Sequence, residues 1–98
     1  MTSEAAITRA VRAYLQALPE TWWMKVTPNG FTSAGIPDFV VCHRGRFLAF
    51  EVKAPGNYPT PLQRSQIGKL DAAGALVGVV RSVEDVKELV ARVQPLRS

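Results

Sequence analysis

Residues 35–53, Gly-Ile-Pro-Asp-Phe-Val-Val-Cys-His-Arg-Gly-Arg-Phe-Leu-Ala-Phe-Glu-Val-Lys, place the tightest limit on what this chain can fold into. Two apolar runs, Phe39–Cys42 and Phe47–Val52, flank the polar turn His43-Arg44-Gly45-Arg46, which is the pattern of a β-hairpin. Asp38 opens the first strand, and Glu51 and Lys53 close the second. Alternation along a strand puts Glu51 and Lys53 on one face and Phe50 and Val52 on the other. In an antiparallel hairpin the start of one strand lies beside the end of the next, so Asp38 and Glu51 meet although they are distant in sequence. Two carboxylates and an ammonium at one end of an apolar hairpin make this the candidate active site.

The 98 residues suffice for one modest core, and a single domain spanning 1–98 is expected. Apolar residues are 47% and charged residues 20% of the chain, which is ordinary globular composition rather than that of a disordered segment. The formal charge of +4 is compatible with a polyanionic partner without specifying one. One cysteine and one histidine exclude an intramolecular disulfide and a zinc finger. No apolar stretch is long enough to cross a membrane, and Met-Thr-Ser-Glu does not resemble the start of a secretion signal. A cytoplasmic setting, in a bacterium or a phage-infected host cell, is the expectation.

Before the hairpin, the spacing of Ile7, Val11, Tyr14, Leu15 and Leu18 predicts a helix over 4–18, with Ser3 or Thr2 as N-cap and Pro19 as the stop. Glu4 projects from the apolar side of this helix; it is either a solvated first-turn carboxylate favouring the dipole or a functional group. Residues 22–26 predict a short strand, and 27–34 a loop with Pro28-Asn29-Gly30 as its turn signal. Lys25 either faces the carboxylate cleft or is a solvated edge lysine.

After the hairpin, residues 54–61 form a loop with three prolines and a glycine. Thr60-Pro61-Leu62-Gln63 reads as a helix start with Gln63 as capping-box partner. That helix is expected to carry Leu62, Ile67, Leu70 and Ala73 inward and to end at Gly74. Residues 75–80, an unbroken run of small and apolar residues, predict a strand covered on both faces and parallel to the second hairpin strand. Ser82 caps a third helix with Val83, Val86, Leu89, Val90 and Val93 inward and Pro95 at its end. The element order is αβββαβα.

Asp38, Glu51 and Lys53 supply what metal-assisted phosphodiester hydrolysis requires. Mg²⁺ is commonly held by one or two carboxylates, with water and substrate phosphate completing the shell. The Val52 carbonyl lies between Glu51 and Lys53 and offers a further ligand, while the lysine can orient water or balance charge on the phosphate. The alternative is structural: a Pro-Asp turn and a Glu-x-Lys surface pair of little energetic weight. Charge spacing alone leaves both readings open.

Gly35-Ile36-Pro37-Asp38 followed by Glu51-Val52-Lys53 resembles the active-site signature of the PD-(D/E)XK nuclease superfamily, and most closely its VRR-NUC family, the virus-type replication-repair nucleases. Glu4 falls where that family has a helix-one glutamate, and Gln63 where it has a glutamine opening the next helix. Lys25, Gly30 and Gly74 also match, and the resemblance runs from Glu4 to Asp85. It implies an α/β, restriction-endonuclease-like core with a mixed central sheet flanked by helices. It also implies a Mg²⁺- or Mn²⁺-dependent endonuclease with Asp38 and Glu51 as metal ligands and Lys53 as the catalytic lysine. Glu4 would assist through a second metal or its water shell, and Gln63 would line the site.

Small stand-alone members of the family resemble phage homodimers that act on branched DNA, including four-way (Holliday) junctions, which points to DNA repair. Trp22, Trp23 and Phe31 are candidates for the dimer contact. Lys25, Arg44, Arg46 and Arg64, with Arg9 and Arg12, are candidates for phosphate contacts, each of which could equally be a solubilising charge. A nickase acting on flaps or single strands, and a non-cleaving nucleic-acid-binding module, are the competing readings.

Overall fold

The computed structural model describes residues 2–27 and 34–94. The turn signal Pro28-Asn29-Gly30, Phe31 and Pro95 lie outside the described residues. Seven elements follow in the expected order: α1 (Glu4–Ala17), β1 (Thr21–Lys25), β2 (Phe39–His43), β3 (Arg46–Val52), α2 (Pro61–Ala72), β4 (Leu76–Val80) and α3 (Val83–Ala91). The strands form one mixed sheet in the order β1-β2-β3-β4. β1–β2 and β2–β3 are antiparallel, whereas β3–β4 is parallel because α2 carries the chain back to the same end.

Local chemistry explains the element boundaries. The Ser3 hydroxyl accepts from the Ala6 amide at 3.1 Å and opens α1. At α2 both halves of the capping box are made: Gln63 N donates to the Thr60 hydroxyl, and Thr60 N donates to Gln63 Oε1. At α3 the Ser82 hydroxyl accepts from Asp85 N, while the Asp85 carboxylate reaches one residue further back to Arg81 N.

The hairpin turn is tighter than its sequence suggests. His43 pairs with Arg46, so His43 belongs to β2 and only Arg44 and Gly45 turn the chain. Both have positive φ, +49° and +79°, as a two-residue type I′ turn demands. An arginine in that conformation is unusual, and here Glu20 holds it. The Arg44 amide donates to the Glu20 carbonyl at 3.0 Å, and its guanidinium lies 3.4 Å from the Glu20 carboxylate. Buried His43 meets the Thr21 hydroxyl through Nδ1 at 2.7 Å. That hydroxyl donates its single proton to the Pro19 carbonyl, so Nδ1 is the protonated ring nitrogen. Burial and the neighbouring Arg44 charge lower the His43 pKa.

One face of the sheet carries the core. Phe39, Val41, Leu48, Phe50, Val52 and Val80 pack against Ile7, Val11 and Leu15 of α1 and against Val86, Leu89 and Val90 of α3. Gly78 lets Leu89 lie directly on β4, since a Cβ there would come within 3.2 Å of that side chain. Central β3 is buried on both faces from Leu48 to Val52.

The other face departs from expectation. α2 buries none of its residues fully: Ile67 and Leu70 are half-buried, Ala73 is exposed, and Leu62 is 60% exposed. Leu62 lies in the first turn, beyond the end of the strand that α2 covers, so helical periodicity did not decide its burial. β4 is correspondingly half-buried except at Val80. Val83 is likewise half-buried rather than core.

Leu48→Ala and Leu62→Ala separate the two faces. The first is expected to cost about 2–5 kcal/mol in chemical denaturation, and the second under about 0.5 kcal/mol.

Candidate active site

Four segments bring polar side chains to the end of the hairpin opposite its turn. Asp38 precedes β2, Glu51 lies at the end of β3 with Lys53 just after it, Gln63 is in the first turn of α2, and Lys25 ends β1. Phe39 pairs with Phe50, so the next residues outward, Asp38 and Glu51, are neighbours across the hairpin. One Asp38 oxygen, Oδ2, accepts from Val52 N at 2.8 Å, which ties the acid to the neighbouring strand. The other, Oδ1, lies 3.6 Å from Lys25 Nζ. Lys25 also donates to the Val26 carbonyl at 3.0 Å, and its ammonium stands 5.9 Å from the centre of the Phe39 ring. It belongs to the cleft rather than to a solvated edge.

Glu51 is the most constrained member, with only 3% of its surface exposed. Its Oε2 accepts from Gln63 Nε2 at 3.1 Å, whereas Oε1 is buried with no hydrogen-bond donor. Gln63 thus fills both roles open to it in sequence, its oxygen capping α2 and its nitrogen holding Glu51. Burial, then the Asp38 charge, then a hydrogen bond shared with Asp38 push the Glu51 pKa from 4.5 up to about 8. Lys53 opposes that shift and Glu4 adds weakly to it. Glu4 is therefore within electrostatic reach of the pair, although it is exposed in the first turn of α1.

The donors fit a hard divalent cation. Lys25 partners only Asp38, so the buried Glu51 oxygen without a donor remains a costly feature that a cation would relieve. Among the described residues no three His, Cys, Asp or Glu side chains converge closely enough to hold a metal between them. The protein side is thus a carboxylate pair, leaving room for water and substrate oxygens, with Glu4 outside it.

Sequence reasoning missed Gly35 as a positioning residue, although it quoted the glycine in the motif. Its φ is +85°, and a Cβ there would stand 2.5 Å from the Leu62 carbonyl oxygen and 2.9 Å from Gln63 N. The segment entering Asp38 therefore rests directly on the backbone that carries Gln63. A glycine three residues before the acid was the available signal, but its contact partner was not readable. Arg44 and Arg46 are not brought to the site. Arg44 lies in the hairpin turn and Arg46 at the start of β3, about 17 Å away along the strand, and Arg46 donates to the Gly74 carbonyl at 3.0 Å. Arg64 is exposed beside Gln63 and donates to the Pro59 carbonyl at 2.7 Å. On α1, Arg12 lies 5.9 Å over the Trp23 ring.

The chain is similar to a solved structure described as a VRR_NUC domain, with a TM-score of 0.76 and 27% sequence identity over 96% of this chain and all of the other. The likeness supports the resemblance to the VRR-NUC family. Comparisons of the sequence with protein-family models and with curated proteins return no match. The likeness makes this a nuclease-type fold.

Two measurements probe the site without substrate. Between pH 4.5 and about 8 the folded protein keeps a proton on Glu51 that the unfolded chain releases. Stability without metal should therefore fall as pH rises through that window. Glu51→Gln should flatten the fall, so that the variant melts higher than wild type at pH 8.5 and about equally at pH 5; parallel curves would refute the assignment. Gly35→Ala should lower the melting temperature and weaken divalent-cation binding together, because the added methyl forces Asp38 and Gln63 apart.

Proposed function

We propose that this chain is a Mg²⁺- or Mn²⁺-dependent endodeoxyribonuclease acting on branched DNA such as four-way junctions. The observation that carries the reading is the buried Glu51 oxygen without a donor, beside Asp38 and at the end of the strand that leads into Lys53. A binding module gains nothing from two carboxylates facing phosphate, since without a cation they repel it.

In this reading Asp38 and Glu51 hold the cation, with the Val52 carbonyl as a further ligand. A bound cation polarises the scissile phosphate and lowers the pKa of a coordinated water. Gln63 fixes the Glu51 carboxylate and keeps it from rotating away. Lys25 neutralises Asp38 before the cation arrives. Lys53 orients the attacking water or balances charge developing on the phosphate. Glu4, exposed to solvent, orders water at the edge of the site. Arg64, beside Gln63, suits a flanking phosphate, whereas contacts from Arg44 and Arg46 would fall on a more distant stretch of DNA.

Symmetric cutting of a branched substrate calls for two sites related by a twofold axis, so a homodimer is part of the proposal. Trp22, 62% exposed, aligns with Cys42 and Phe47 across three strands on the open sheet face, which makes that row the better contact candidate. Trp23 is partly buried against Phe39 and packs on the core, which makes it a poor one. Light scattering at micromolar concentration should give the mass of a dimer.

Purified protein should cut a labelled four-way junction with Mg²⁺ or Mn²⁺ and not with EDTA. Asp38→Asn, Glu51→Gln and Lys53→Ala should each lose cleavage by at least about 10²-fold while still binding DNA. Binding without cleavage in every metal would sink the enzyme reading; cleavage of flaps or single strands but never junctions would replace the substrate. Because ligands must be deprotonated, cation binding below pH 8 should release a proton and tighten as pH rises.

A further inference from the structure

The loop joining β3 to α2 carries a side chain that neither the core nor the carboxylate pair uses. Tyr58 is 74% exposed, the highest value among the large apolar and aromatic side chains of the described residues that stand out from the surface. An exposed aromatic by itself is unremarkable. Three further observations set this one apart.

First, the loop is braced. Pro55, Pro59 and Pro61 restrict its backbone. Asn57 N donates to the Ala54 carbonyl at 3.0 Å, and the Asn57 and Pro59 carbonyls accept from Arg81 and Arg64, both at 2.7 Å. Second, Arg81 backs the ring, its guanidinium carbon 5.4 Å from the ring centre. Arg81 is itself fixed through its amide, which donates to the Asp85 carboxylate at 2.8 Å. Third, the loop joins two residues of the candidate site. Lys53 lies at its start, and Lys53 N donates to the carbonyl of Val80, the residue before Arg81. Gln63, which holds Glu51, lies at its end.

We propose that Tyr58, backed by Arg81, is a stacking platform for an unpaired nucleobase next to the scissile phosphate. Every base offers a π-face to an aromatic ring, and a ring already held in place loses little freedom when it stacks. The guanidinium adds cation–π attraction and, with Arg64, positive charge for the adjoining backbone. Asp85, in the first turn of α3, accepts from the Arg81 amide through its carboxylate, and its own amide donates to the Ser82 cap. Bases within continuous duplex are stacked on one another and are not free to dock. The platform therefore selects DNA with a splayed or unpaired position, as at a branch, flap or gap. This inference deepens the proposed function and rests on DNA being the ligand.

The test measures binding apart from cleavage. Equilibrium anisotropy with Ca²⁺ in place of Mg²⁺, and again with EDTA, compares a junction, a flap and a gapped duplex with continuous duplex of equal length. Tyr58→Ala should weaken binding to the three discontinuous DNAs about tenfold, the scale of one lost base–aromatic stack, and to continuous duplex less than about twofold. Tyr58→Phe and Tyr58→Trp should stay within about twofold of wild type on all four. A 2-aminopurine at the unpaired position should be quenched by wild type and Tyr58→Phe but not by Tyr58→Ala. Thermal melting should be nearly unchanged in Tyr58→Ala, since the ring is exposed. Equal losses on continuous and discontinuous DNA, loss of binding in Tyr58→Phe, or absence of quenching would overturn the platform while leaving DNA binding intact. Failure of wild type to bind any of the four would instead remove the DNA reading, and the platform with it.

Discussion

Burial of one carboxyl group organises this molecule. Among the described residues β3 is the one strand covered on both faces along most of its length, and Glu51 lies near its end with almost no access to water. An ionised carboxylate there is costly unless its oxygens find donors or a cation. Only one oxygen has a donor, and that donor, Gln63, sits on the next helix. The rest is shared with Asp38, which pushes Glu51 toward its protonated form. A fold optimised only for stability would place an apolar side chain at this position.

The surroundings are arranged to hold that cost in place. Gln63 cannot turn away from Glu51 without breaking the cap on α2, because its oxygen is committed to Thr60 N. Asp38 cannot drift, because Val52 N and Lys25 hold its two oxygens and Gly35 rests on the Leu62 carbonyl behind it. These restraints come from backbone groups, helix caps and a close packing contact rather than from long flexible side chains. The acids are consequently positioned by the same interactions that terminate the elements.

The sheet is markedly asymmetric. α1 and α3 cover the core face, while α2 covers only part of the other and leaves Trp22, Met24 and Phe47 exposed on β1 and β3. Stability therefore resides largely in one layer, and the other is free to meet a partner or a substrate.

The sequence by itself determined the element order, the N-caps of α2 and α3, the parallel return of β4 and the meeting of Asp38 with Glu51, and narrowed the cap of α1 to Ser3 or Thr2. These follow from interactions between residues three or four apart, from period-two alternation, and from the geometry of a hairpin whose two strands are adjacent in the chain. Only the tertiary structure decided that Lys25 pairs with Asp38, that Gln63 adds a bond to Glu51 beyond its cap, and that Gly35 touches Leu62. Each of those joins segments whose relative placement depends on how the whole sheet and its helices pack. The same dependence exposed Leu62 and Ala73 and half-buried Val83, which helical periodicity alone had assigned inward. It also raised the Glu51 pKa, because periodicity names the face a residue occupies and not how deeply that face is covered.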